Sequence, residues 1–155
     1  MFQLHEQLKQ DTVVVGQFHL CLVLLHKDAN YPWVVLVPKR DSVKEIHQLA
    51  EDDQVQLIRE SSHLSEVMTS LFAPKKMNIA ALGNIVPQLH VHHVARYEDD
   101  AAWPKSIWGA TPAKAYEGDV LKERLTRLNS SLVGEGFQAW VGSVEDDSAA
   151  SMFSP

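Results

Sequence analysis

The segment Gly83-Asn84-Ile85-Val86-Pro87-Gln88-Leu89-His90-Val91-His92-His93-Val94-Ala95-Arg96 holds three of the chain's eight histidines within four positions. Its apolar alternation predicts a strand near residues 85–96. Side chains on a strand alternate between faces, so Gln88, His90 and His92 share one face and Leu89, Val91 and His93 the other. Same-face neighbours stand about 6.5–7 Å apart. Two imidazoles and one amide then converge on a group as small as a phosphate.

Working outward, Gly83–Asn84 separates this segment from the apolar run Met77 to Leu82, which reads as its antiparallel neighbour. Upstream, residues 42–71 change period. Asp41 or Ser42 can cap a first short helix carrying Val43, Ile46 and Leu49. A longer one follows from about Asp52 or Asp53, with Leu57, Leu64, Met68 and Leu71 on one stripe and Glu60, Ser61 and Glu66 largely off it. Pro74 and Lys75–Lys76 end it. Earlier still, the apolar runs Phe18 to Leu25 and Trp33 to Pro38 flank the turn-forming HKDANYP, which predicts a hairpin. A short leading helix is expected within residues 2–10.

The order strand, strand, helices, strand, strand predicts an α+β fold, an antiparallel sheet of about five strands with helices on one face. Residues 97–115 read as an irregular loop, followed by a helix from about Tyr116. The acidic tail from about residue 144 is expected to be frayed. With no repeat or boundary, residues 1–155 read as one domain.

Composition narrows the function. A net charge of −6 argues against binding a nucleic-acid polymer, which needs a dense positive footprint. The lone cysteine, Cys21, lies in an apolar run and reads as a core residue in a reducing compartment. The first residues resemble no signal peptide and no apolar stretch approaches a membrane span, so a cytoplasmic location is expected.

A neutral imidazole is a competent nucleophile near pH 7, because its ordinary pKa is about 6.5. Attack on phosphorus splits one hard displacement into two. A second imidazole can donate to the oxygens where charge must be stabilised, and amides of the Gly83–Asn84 turn can add donors.

The segment resembles the signature strand of the histidine-triad (HIT) superfamily, His-φ-His-φ-His-φ-φ with φ apolar. His90 matches the central, nucleophilic histidine and His92 the third. Gly83 and Asn84 resemble the Gly-polar pair that contacts phosphate, and Asn78 resembles, with an offset of one residue, a polar residue ending the preceding strand. PWVVLVPKR, from Pro32, is similar to the family's Pro-Gly-His-x-Leu-Val-x-Pro-Lys strand, and WPKSIWG looks like a loop of a bacterial branch.

The resemblance implies a HIT-like fold and cleavage at the α-phosphate of a dinucleoside polyphosphate or nucleoside phosphoramidate through a nucleotidyl-histidine. Catalytic residues would be His90 and His92; substrate-binding residues would be Gln88, Asn84, Asn78 and Gly83. It implies no required cofactor, Mg²⁺ arriving only with a polyphosphate substrate, and a homodimer. The alternatives are a nucleotidyltransferase and a purine-nucleotide-binding module without catalysis. A metal site is disfavoured, because His93 points away and only two ligands converge.

Two departures stand out. Gln88 occupies the place of the first triad histidine, and an amide is no general acid near neutrality. His93 occupies an apolar position and should be a core or interface histidine with a hydrogen-bond partner. Trp103 and Trp108 could stack on a base or anchor their own loop. The family's acidic or amide ribose position falls near Leu25–His26, where neither type occurs.

Overall fold

The computed structural model describes residues 1–140, so the acidic tail expected from about residue 144 lies outside the described residues. After a non-helical lead come α1 (Glu6–Asp11), β1 (Thr12–Gln17), β2 (Cys21–His26) and β3 (Trp33–Pro38). A 3-10 turn (Ile46–Gln48), α2 (Glu51–Phe72), β4 (Lys76–Ala80) and β5 (Val91–Arg96) follow, then α3 (Val120–Ser131) and the two-residue β6 (Gln138–Ala139).

The fold is the α+β arrangement expected, with every strand pair antiparallel. The sheet has six strands in the order β4-β5-β3-β2-β1-β6, one more than anticipated. The difference lies at one edge. The run Thr12–Gln17 forms its own strand, and Phe18 turns the chain by donating its backbone N–H to the Cys21 carbonyl (2.8 Å). β6 then pairs with Gly16 and Gln17, where a side chain at Gly16 would place its Cβ 2.3 Å from the Gln138 carbonyl oxygen.

Other boundaries moved for local reasons. The leading helix starts only at Glu6, behind the His5 cap, and leaves Phe2 and Leu4 to pack as a non-helical strap. The short helix expected from Ser42 is reduced to the 3-10 turn, with Ser42 itself at a φ of 56°. Strand β5 begins at Val91 rather than near Ile85, because Gly83 turns the chain at a φ of 77° and Pro87 has no N–H for a ladder. The last helix begins at Val120, just past Gly118 at a φ of 57°.

Pairing register divides the sheet into two faces. Val34 opposes His93 and Leu36 opposes Val91, and this face packs with Leu57, Leu64 and Met68 of α2 and Leu125 and Leu128 of α3. Three acidic residues in the first turn of α2 complement its dipole, and Ala73 ends the helix in the left-handed region. Glu60 and Ser61 depart from expectation, for both are buried against the sheet. Glu60 accepts the backbone N–H groups of Leu20 (2.9 Å) and Cys21 (2.8 Å) where β2 begins. A buried carboxylate there satisfies main-chain donors that have no ladder partner.

On the opposite face Trp33 is level with Val94 and Val35 with His92. Here the cover is mostly non-helical, with only the short α1 contributing a helical residue. The strap residues Phe2 and Leu4, Leu8 of α1, and Ala102 and Ile107 of the loop after β5 bury Leu22, Leu24 and Val37. No helix among the described residues is long and apolar enough to cross a membrane.

Candidate functional site

His90 sits one residue before β5 and His92 two residues later, on the sheet face opposite the helices. Their rings stand 4.8 Å apart, edge to face, and both residues are 7% exposed. The alternation expected from the sequence therefore brings them together, even though regular strand structure starts only between them.

Each ring's other contacts decide its tautomer. His90 Nδ1 lies 2.7 Å from the backbone carbonyl of Gln88. A carbonyl can only accept, so Nδ1 carries a proton, and in the neutral ring the lone pair lies on Nε2. His92 is held the other way round. The indole Nε1–H of Trp33 donates to His92 Nδ1 at 3.0 Å. An indole can only donate, so His92 carries its proton on Nε2. Burial, followed by the neighbouring imidazoles of His90, His26 and His93, pushes His92 down to a pKa of about 3, and the ring is neutral at physiological pH.

An aromatic frame surrounds the pair. His26 lies flat on Trp33 with ring centroids 3.6 Å apart, and its Nδ1 accepts the backbone N–H of Asp28 (3.0 Å). Burial holds His26 down to about 4, against the opposing pull of Asp11 and Asp28. Trp108 meets His92 at 5.1 Å and Trp33 at 6.2 Å, both edge-on. Trp103 goes elsewhere, over the Arg96 guanidinium at 5.7 Å.

Arg96 is the anchor of that loop. It pairs with Asp100 along one guanidinium edge, through Nε (2.8 Å) and Nη2 (3.1 Å), and donates from Nη2 to the Lys105 carbonyl (2.8 Å). Burial alone would raise the Asp100 carboxyl. The Arg96 guanidinium and the N–H groups of Tyr97, Ala102 and Trp103 outweigh it and hold the carboxyl at about 2. The loop is thus clamped where Trp108 can wall the site. An open cleft of about 470 Å³ is lined by Trp103, Lys105, Ser106 and Trp108.

The remaining candidates fall in three places. Gln88 lies beside His90, but its side chain faces the strap: Nε2 donates to the Gln3 carbonyl (2.8 Å) and Oε1 accepts the His5 N–H (2.9 Å). Gly83 borders a small cleft with Lys44, Glu45 and His90, and Asn84 is exposed on the same turn. Asn78 is opposite Val94 in the register, one same-face step beyond His92, and its Oδ1 accepts from Arg96 (2.7 Å). His93 points to the helices, fully buried. Its Nδ1 donates to the Val91 carbonyl (3.0 Å) and its Nε2 meets the Ser61 hydroxyl (2.7 Å), the partner that a core histidine requires. No group of three or more potential metal ligands occurs among the described residues.

Two residues at the site escaped the sequence reading, Trp33 and His26. Their signal was the register itself. Once β3 is laid antiparallel beside β5, Trp33 falls on the histidine face. His26, at the end of β2, falls beside it.

The sequence profile of the HIT domain matches residues 7–99. Among solved structures, a histidine triad protein from Bradyrhizobium japonicum is 44% identical, with a TM-score of 0.83 over 84% of this chain and 98% of that one. One from Marinobacter aquaeolei is 48% identical, with a TM-score of 0.82 over 85% of this chain and 96% of that one. A third, from Sinorhizobium meliloti, is 36% identical, with a TM-score of 0.82 over 84% and 97%. A search of curated protein sequences returns no match. HIT-domain proteins are in general nucleotide-binding hydrolases or transferases. With its profile match, its close structural likenesses and its paired imidazoles, the chain belongs to the HIT domain family.

Proposed function

We propose that this protein cleaves a nucleotide at its α-phosphate through a nucleotidyl-histidine formed on His90. The observation that carries the reading is the opposite tautomers of two touching imidazoles, a bare Nε2 on His90 and an Nε2–H on His92. The His90 lone pair attacks phosphorus, an N–P bond forms, and the bond to the leaving oxygen breaks with its electron pair. His92 donates to a non-bridging oxygen, where charge builds. Water then attacks the same phosphorus and releases a proton to solvent as the P–O bond forms, the N–P bond breaks, and His90 recovers its lone pair. A transferase would differ only in the second acceptor.

Amides of the Gly83–Asn84 turn add donors beside His90, and Gln88 contributes through the carbonyl that holds the nucleophile. Asn78 acts at a distance, through Arg96 and the loop. We place the base against Trp108, in the cleft that the loop walls. No cofactor enters these steps, and Mg²⁺ comes only as the counter-ion of a polyphosphate. A cytoplasmic setting fits the reduced, buried Cys21. A homodimer is favoured by the open edge of β4 with exposed Ile79 there and Leu82 and Ile85 just beyond, and sedimentation at micromolar concentration tests it.

The deciding experiment is a mass spectrum after brief incubation with an adenylated substrate. Wild type should gain one adenylyl group and His90→Ala none. Tight nucleotide binding by both proteins, without adduct or product, would replace the reading with that of a binding module.

A further inference from the structure

We propose that Trp33 is the positioning residue that commits His92 to a single role as hydrogen-bond donor, and that this commitment restricts the site to leaving groups that depart without a proton. The second half rests on the nucleotidyl-transfer reading above; the first stands on geometry alone.

An indole has one N–H and no acceptor. Directed at His92 Nδ1 from 3.0 Å, it occupies the only position where the ring could gain a proton without losing its donor at Nε2. Trp33 is itself held fast. It is 7% exposed, stacked on His26 over one face and met edge-on by Trp108. His26 cannot turn to compete, because its Nδ1 is taken by the Asp28 backbone N–H. The two rings behind His92 therefore form a fixed stack with its single polar hydrogen aimed at one nitrogen.

The consequence concerns protons. A group that protonates a leaving atom must first carry a proton it can lose near neutrality. His92, held neutral, keeps a donor of very weak acidity. His90 is the nucleophile. The Gln88 amide is neither acidic nor free, being bonded to Gln3 and His5. The titratable groups that act on His92 are His90 just before its strand, His26 from β2 and His93 on the far face, and each disfavours its charged form. Asp100, the carboxylate on the loop that packs here, is paired with Arg96. None of the groups that act on His92 supplies a proton. Phosphoanhydrides, which leave as stabilised anions, suit such a site, whereas phosphoramidates, whose amine must be protonated to leave, do not.

The direct test needs no variant. In uniformly labelled wild-type protein, NMR should show a through-hydrogen-bond coupling between Trp33 Nε1 and His92 Nδ1, with His92 protonated at Nε2 from pH 8 down to 5. Absence of that coupling, or a His92 that titrates in this range, overturns the proposal. Trp33→Phe keeps a ring on His26 and removes the N–H. In Trp33→Phe both His92 tautomers should appear and protonation should move toward neutrality. Turnover of diadenosine tetraphosphate should fall about tenfold, the effect of a barrier change near 1.4 kcal/mol. Its ratio to turnover of adenosine phosphoramidate at pH 5.5 should shrink by a similar factor. An unchanged tautomer or an unchanged ratio refutes the assignment. If wild type forms no adenylyl adduct, the nucleotidyl-transfer reading fails, while the coupling still decides what Trp33 does.

Discussion

Replacing Gln88 by alanine should loosen the amino-terminal strap without displacing His90. The wild-type amide forms two hydrogen bonds, one to the Gln3 carbonyl and one from the His5 N–H. Each contributes about 0.5–1.5 kcal/mol net, and their partial exposure places the pair at about 1–2 kcal/mol. Against this stands the ordering of the first five residues, about 1–2 kcal/mol each. The buried side chains of Phe2 and Leu4 return about 2–3 kcal/mol apiece. The balance is close, so the clamp decides how often the strap opens. Loss of about 1.4 kcal/mol should speed hydrogen exchange of the His5 amide about tenfold, with exchange in β2 and β3 unaltered. The His90 tautomer should persist, because its partner is the Gln88 carbonyl. Equal His5 exchange in both proteins, or a His90 ring that switches tautomer, would refute this account.

Other consequences are as direct. Glu60→Gln leaves one acceptor for two buried N–H groups, those of Leu20 and Cys21, and should cost about 2–3 kcal/mol in urea unfolding. Ser61→Ala strands the buried Nε2 of His93 and should cost about 1–3 kcal/mol. Burial depresses the folded-state pKa of His26 and His93 to about 4 and of His92 to about 3. Their stabilising contribution is therefore complete above the unfolded value near 6.5 and declines as pH falls toward 4. Calorimetry should show the Tm dropping across that window, and an His93→Asn variant should show a shallower drop. Gly16→Ala should dislodge β6, seen as loss of exchange protection at Trp140, whose N–H bonds the Val15 carbonyl.

What the sequence carried and what it withheld follow the range of the interactions. Alternation in Gln88-Leu89-His90-Val91-His92 is a local property, and it placed the two imidazoles on one face. The helical stripe of Leu57, Leu64 and Met68 is likewise local. Glu60 and Ser61 were misplaced because polarity argues for solvent unless their partners are known. Those partners, the start of β2 and His93, lie roughly thirty to forty residues away in the chain. Trp33 and His26 were hidden for the same reason, since only strand register brings them to His92. Gln88 was visible as a departure from the family pattern, but its attachment to Gln3 and His5 spans more than eighty residues.

The bond from His90 Nδ1 to the Gln88 carbonyl also bears on how such a site can change over evolutionary time. A main-chain oxygen is supplied by any residue, so the side chain at position 88 can be exchanged without reorienting the nucleophile. The proton-relay position of the motif is thereby free to drift while the attacking nitrogen stays aimed. A lineage could trade a histidine for a glutamine there, gain a fastening for its amino terminus, and still keep the first half of the chemistry.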